Sequence, residues 1–151
     1  MIRILLAAGL ALAPASAFAQ GCAGTPGGGA AKLTTVATGV RAAKGEVAFT
    51  VYPDDRRRFL KGGAKLLRVR TPARSGTTSA CFWLPPGHYA VATYHDENGD
   101  HDFNRTLWAP KEGFGFSNDA PTSIGLPKFE AARFPLPAGG TTIRIATRYR
   151  R

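Results

Sequence analysis

Oxygen-bearing side chains recur at every second position in one short segment: Asp96, Asn98, Asp100 and Asp102, with Asn104 continuing the series. On a tight turn such alternating oxygens converge on one point. A hard cation such as calcium takes six to eight of them at about 2.3–2.6 Å, so the first four are candidate calcium ligands. The EF-hand loop places ligands at positions 1, 3 and 5, glycine at 6 and an acidic residue at 12. Counted from Asp96, position 6 is His101, Gly99 stands at position 4, and position 12 is Leu107. Glu112 or Asp119 would then have to complete the shell. The competing reading is an Asx-rich turn whose side chains cap backbone N–H groups without an ion. Against it, Asp96, Glu97, Asp100 and Asp102 crowd four carboxylates into seven residues. A cation or an arginine such as Arg105 must relieve their repulsion.

The chain has three histidines, His88, His95 and His101. His95 beside Asp96 forms half of an acid–base pair. With Ser117 as nucleophile, or with the loop carboxylates, it defines an alternative reading as a hydrolase. No nucleophile elbow, HExxH or P-loop accompanies it, and a hydrogen-bonded structural role is expected for each histidine, with no catalytic residue assigned. His88 and His95 lie seven apart on one strand and must point to opposite faces. Cys22 and Cys81 are the two cysteines, with no CxxC. In an oxidising compartment they are expected to form one disulfide.

Compartment follows from the start of the sequence. Met1-Ile2-Arg3 is followed by an apolar run from Ile4 to Ala13, then Pro14 and the small-x-small pattern Ala17-Phe18-Ala19. Residues 1–19 are expected to be a signal peptide, and the run is too short for an ordinary transmembrane helix. Ala19 stands where a lipoprotein usually has leucine, so lipidation at Cys22 is disfavoured. The protein is therefore expected in the periplasm or the medium. That bears on its 20 basic against 10 acidic residues, net +10. Nucleic acid is an improbable partner for an exported chain with no recognition motif. Arg56, Arg57, Arg58, Arg68 and Arg70, with Arg144, Arg148, Arg150 and Arg151, suggest instead a face for lipopolysaccharide, acidic lipid or anionic polysaccharide. The plainer reading is a solvated surface.

The elements that must position these residues read as short strands. Residues 20–30 form a Gly-rich arm pinned at Cys22, and 31–151 the folded domain. Residues 33–40 are rich in Thr and Val with imperfect parity, which predicts a bulge. Val47, Phe49 and Val51 alternate with polar or small residues after Gly45. Residues 55–61 suit a helical turn burying Phe59 and Leu60, stopped at Gly62-Gly63. Leu67 and Val69 face in and Arg68 and Arg70 out. Residues 77–84 and 88–94 follow, separated by Pro85-Pro86-Gly87. The second of these is apolar on both faces, as a central strand is. The last strand, 141–149, places Ile143, Ile145 and Tyr149 on one face. With 18 Gly, 11 Pro and no long amphipathic helix, the expectation is all-β. It is a single Ig-like, Greek-key β-sandwich of about seven strands.

One segment breaks the period, His95 to Ala132. Its Phe103, Trp108, Phe114, Phe116 and Phe129 argue for a long ordered loop packed on the sandwich, with a helical turn at 129–133. It is also distinctive in detail. Pro86-Gly87-x-Tyr89-Ala90 leads to His95-Asp96-Glu97-Asn98-Gly99. Pro110-Lys111-Glu112-Gly113-Phe114-Gly115-Phe116-Ser117-Asn118 follows, then Pro127-x-Phe129-Glu130-x-Ala132. In these motifs the chain resembles the exported bacterial proteins grouped as domain-of-unknown-function family 2141, over roughly residues 31–149. His101 after Asp100 departs from the family pattern of Asp or Asn followed by Gly. The resemblance implies a small secreted all-β domain and no known activity, and it marks His95, Glu112, Ser117 and Asn118 as a loop motif of functional interest. The expected role is an exported envelope binding or accessory module, with calcium as a candidate stabiliser. The alternatives are the hydrolase and a purely structural calcium-stabilised module.

Overall fold

The computed structural model describes residues 21–103, 111–122 and 125–149. The expected leader, and Asn104, Arg105, Leu107 and Trp108 of the acidic segment, lie outside them. Eight strands are present among the described residues: β1 (Ala31–Val40), β2 (Glu46–Pro53), β3 (Leu67–Pro72), β4 (Gly76–Leu84), β5 (Gly87–Asp96), β6 (Gly113–Phe116), β7 (Phe134–Leu136) and β8 (Thr141–Ala146). A 3-10 turn spans Ser117–Asp119, and a helical turn, α1, spans Phe129–Ala132. The strands form two sheets. One has the order β4-β1-β8; the other runs β3-β2-β5-β6, with β7 also paired to β5. The architecture is a two-sheet β-sandwich. No helix among the described residues is long and apolar enough to cross a membrane.

Strand alternation sets the layers. Leu33 and Ala37 of β1, Val47, Phe49 and Val51 of β2, Phe82 of β4, Val91 of β5 and Ile145 of β8 interlock between the sheets, all essentially buried. Leu67 and Val69 of β3 pack against this core while Arg68 and Arg70 take the opposite face, as the period of two requires. The imperfect parity of β1 is a true bulge. The β1–β4 register shifts between Thr38 and Val40, at Gly39 with φ 70°.

β5 is the covered central strand that its two apolar faces require. On its outer side Tyr52, Ala90 and Phe116 are roofed by Phe59, Phe129 and Ala132, a second apolar cluster. Phe59 makes edge-on contacts with Tyr52, Phe129 and Phe116. Phe114, Phe116 and Phe129 of the aromatic-rich segment are therefore packed on the outer face of the larger sheet.

The segment is not all loop, however: it supplies β6. Residues 113–116, GFGF, read as loop because of their glycines, yet the glycines are what permit the strand. A Cβ on Gly115 would lie 2.4 Å from the Ala146 carbonyl oxygen, and one on Gly113 would lie 2.2 Å from the Tyr149 ring. β6 can thus approach the chain leaving β8, and Phe114 exchanges backbone hydrogen bonds with Arg148 at 3.0 and 2.8 Å. This bridge ties the two sheets along one edge.

Cys22 and Cys81 are joined as a disulfide with Cα atoms 4.6 Å apart. Beside it Ala23 adds a short bridge to β4, donating to the Cys81 carbonyl and accepting from the Trp83 N–H at 3.0 and 2.7 Å. The Gly-rich arm is pinned where its cysteine predicts.

Candidate functional site

The acidic loop leaves the end of β5, and the position of Asp96 there decides its shape. Odd residues of β5 face the inter-sheet core, so His95 points inward and Asp96 outward. The Asp96 side chain is fully buried. Its Oδ1 accepts the Gly99 N–H at 2.7 Å, and its Oδ2 accepts the His101 N–H at 2.9 Å and the Arg70 guanidinium at 3.3 Å. One carboxylate thus folds the next five residues around itself. Gly99 and His101 both take left-handed backbone, φ 71° and 67°. Glycine does so freely; for histidine it is uncommon and depends on such anchoring. His101 therefore supplies the sharp turn that the EF-hand template gives to glycine at the same position.

The remaining oxygens follow the fold around Asp96. Asn98 Nδ2 donates to Asp100 Oδ2 at 2.8 Å, and the Asp102 N–H donates to Asp100 Oδ1 at 2.9 Å. Glu112, just before β6, is buried beside them. Carboxylate oxygens of Asp96, Asp100 and Glu112 all lie within 4.8 Å of one another. Oxygens about 2.3–2.6 Å from a shared calcium ion fit that spacing. Of the four candidate ligands, Asp96 and Asp100 meet, Asn98 joins through Asp100, and Asp102 contributes its N–H. Asp119 is elsewhere, its carboxylate accepting the Ala146 N–H at 2.8 Å.

Two residues of this site are invisible without strand pairing. Glu46 is the β2 partner of Asp96, and Arg70 follows one strand further out. Arg70 donates to the Tyr94 hydroxyl and the His101 carbonyl, both at 2.7 Å. It is a clamp on the loop, with its side chain 18% exposed, and not a free surface charge. Glu46 Oε2 lies 3.2 Å from His101 Nε2 and forms a second close group with Asp96 and His101. Arg68 remains exposed on β3, donating to the Thr50 hydroxyl at 2.8 Å.

His95 is fully buried and both ring nitrogens are engaged. Nε2 lies 2.7 Å from the Lys44 carbonyl and Nδ1 2.7 Å from the Tyr149 hydroxyl. A carbonyl only accepts, so Nε2 carries the proton; in the neutral ring the phenol then donates to Nδ1. The same phenol accepts the Arg41 N–H at 3.1 Å. His95 faces away from Asp96 and ties the C-terminal segment to β5. Tyr149→Phe removes that tie and leaves a buried nitrogen unpaired. The expected loss is about 1–3 kcal/mol in equilibrium unfolding, with fold and near-ultraviolet spectrum retained.

Ser117 and Asn118 also hold backbone. The buried Ser117 hydroxyl accepts the Val91 N–H at 2.9 Å and donates to the Ala132 carbonyl at 2.5 Å. Asn118, at φ 58°, donates to the carbonyls of Ala131 and Arg133. Together they dock α1 against β5.

Glu97 sits at the rim. Arg41 grips both its oxygens at 2.6 and 2.5 Å, and that hydrogen bonding holds its carboxyl below the usual glutamate range. A depressed acid stabilises the fold above its unfolded value, near 4.3, and the contribution is lost as pH falls through the lower folded value. Both side chains reach solvent, so the effect is below about 1 kcal/mol. Arg41→Gln should lower stability at neutral pH and flatten the dependence in this acid window, as read by denaturant unfolding across pH.

Fold and site together define a small disulfide-linked β-sandwich with an acidic loop clamped at one end of its larger sheet. The chain belongs to the bacterial family described as uncharacterized protein conserved in bacteria (DUF2141), whose family model matches residues 35–144. That span contains every motif from Pro86 to Ala132. No curated protein and no solved structure is significantly similar to it.

Proposed function

We propose that this protein is an exported accessory module of the bacterial envelope that carries a calcium site in its acidic loop. The observation that carries the reading is the convergence of Asp96, Asp100 and Glu112, two of them buried, within 4.8 Å. Calcium favours such a set of hard oxygens in a flexible turn, and Asn98 and Asp102 stand close enough in sequence to add to it. Export is supported by the leader pattern at residues 1–19 and by the Cys22–Cys81 bond, which suits an oxidising compartment. We read the sandwich as Ig-like with Greek-key connections. The chain passes between sheets four times, and its first and last strands pair in parallel. The partner in this reading is an anionic envelope component, contacted through Arg56, Arg57, Arg58 and Arg68.

One observation favours a second reading, in which the loop is a self-capped structural turn. Both Asp96 oxygens already accept backbone N–H groups, and Arg70 supplies positive charge. Thermal melting separates the two. A calcium site predicts that chelator lowers the melting temperature and that calcium, more than magnesium, restores it. A self-capped turn predicts no shift at millimolar calcium.

A further inference from the structure

On the outer face of the larger sheet, the turn at residues 56–61 and the segment 126–130 enclose an open groove of about 490 Å³. Its floor is aromatic: Phe59 and Phe129 stack edge-on at 5.7 Å. At its lip Leu126 is 65% exposed, the most exposed large apolar residue described. Arg56, Arg57, Lys61 and Lys128 line it against a single acid, Glu130. Asp55, 3.6 Å from the Arg57 guanidinium, partly offsets that one arginine. Within this turn Leu60, at φ 58°, takes left-handed backbone that bulky residues rarely adopt.

We propose that this groove docks the protein on an anionic phospholipid surface. The cations meet phosphate headgroups and Leu126 enters the boundary of the acyl layer. An exposed apolar residue sharing a groove with lysines and arginines suits interfacial binding, in which apolar insertion and attraction to anionic lipid act together. A solubilising charged face needs no protruding leucine over an aromatic floor. The inference rests on the envelope reading above and names its anionic partner.

The test is co-sedimentation of the protein with vesicles of phosphatidylcholine, alone or mixed with phosphatidylglycerol. Binding is expected only to the mixed vesicles, and it should weaken steeply with salt. Leu126→Asp and the pair Arg56→Glu/Lys128→Glu, all exposed, should each lower partitioning at least ten-fold. Arg144→Glu, exposed on β8 of the other sheet, should change it less than two-fold. Absence of binding at low salt overturns the proposal. So does an Arg144→Glu loss as large as that of the groove variants, which would make net charge the sole cause. Fractionating the producing cells tests the envelope reading separately. A cleaved, exported chain that ignores the vesicles refutes the groove alone, whereas an uncleaved cytosolic chain refutes the envelope reading on which it rests.

Discussion

Replacing Cys22 and Cys81 together by serine should lower stability by about 4 kcal/mol. The bond closes a loop with a sequence separation of 59 residues, and in the chain-entropy model a loop of that size restricts the unfolded ensemble by that amount. For a domain of this size the melting temperature should fall by roughly 10–15 °C. The denaturant slope should rise, because the uncrosslinked chain exposes more surface when it unfolds. The Ala23 bridge to β4 should fray in the variant, since two hydrogen bonds cannot hold an arm of glycines against its chain entropy. A loss under about 1 kcal/mol with an unchanged slope would mean that the arm contributes little and that the sheets alone secure β4.

The second large effect is expected at Asp96. Asp96→Ala strips two backbone N–H groups and the Arg70 guanidinium of their acceptor at once. Breaking a buried ionic pair by deleting one partner typically costs about 3–5 kcal/mol. Arg70 keeps some solvent contact and its bonds to Tyr94 and the His101 carbonyl, so the lower end, about 3 kcal/mol, is expected. Asp96→Asn retains an oxygen acceptor and should cost less than half of that. Hydrogen exchange gives the spatial signature: amides of Gly99 and His101 should lose protection in the alanine variant while β1 and β4 keep theirs. Equal loss across both sheets would show that Asp96 supports the whole fold and does not organise the loop.

These effects show what was legible in the residues alone. Alternation places Val47, Phe49 and Val51 inward, and the failed parity of residues 33–40 signals a bulge, whose position at Gly39 only the strand register gives. Turn chemistry located the break at Pro85-Pro86-Gly87. The disulfide was readable because two cysteines admit one pairing. β6 was missed because glycine ordinarily weakens a strand. Its signal was the strict alternation of Gly and Phe, with glycine on the side where Tyr149 and Ala146 press close. Phe59 reads as the buried side of its turn and Phe129 as one aromatic of the ordered loop, but the groove between them depends on a contact across some seventy residues that no local pattern encodes.

The site was legible in part for the same reason. Asp96, Asn98 and Asp100 announced themselves by spacing, whereas Glu46 and Arg70 reach the loop only through strand register. Arg70 therefore read as one cation of a basic face, although its guanidinium closes the acidic loop. His95 and Asp96 are neighbours in sequence and opposites in space, because adjacent strand residues point to opposite faces. The acid–base pair that they suggest in a linear reading becomes an inter-sheet tie on one side and a loop anchor on the other.

The calcium site is tested most directly by calorimetric titration of calcium into the chelator-stripped protein and its Glu112→Gln variant. Glu112 lies just before β6, and its carboxylate meets those of Asp96 and Asp100 within 4.8 Å. Binding of about one calcium per chain, with a dissociation constant in the micromolar to millimolar range of extracellular modules and sensors, is the expected result. Glu112→Gln should weaken it at least ten-fold. No binding heat and no change in melting temperature at millimolar calcium would contradict the account, leaving the acidic loop as a turn that holds itself.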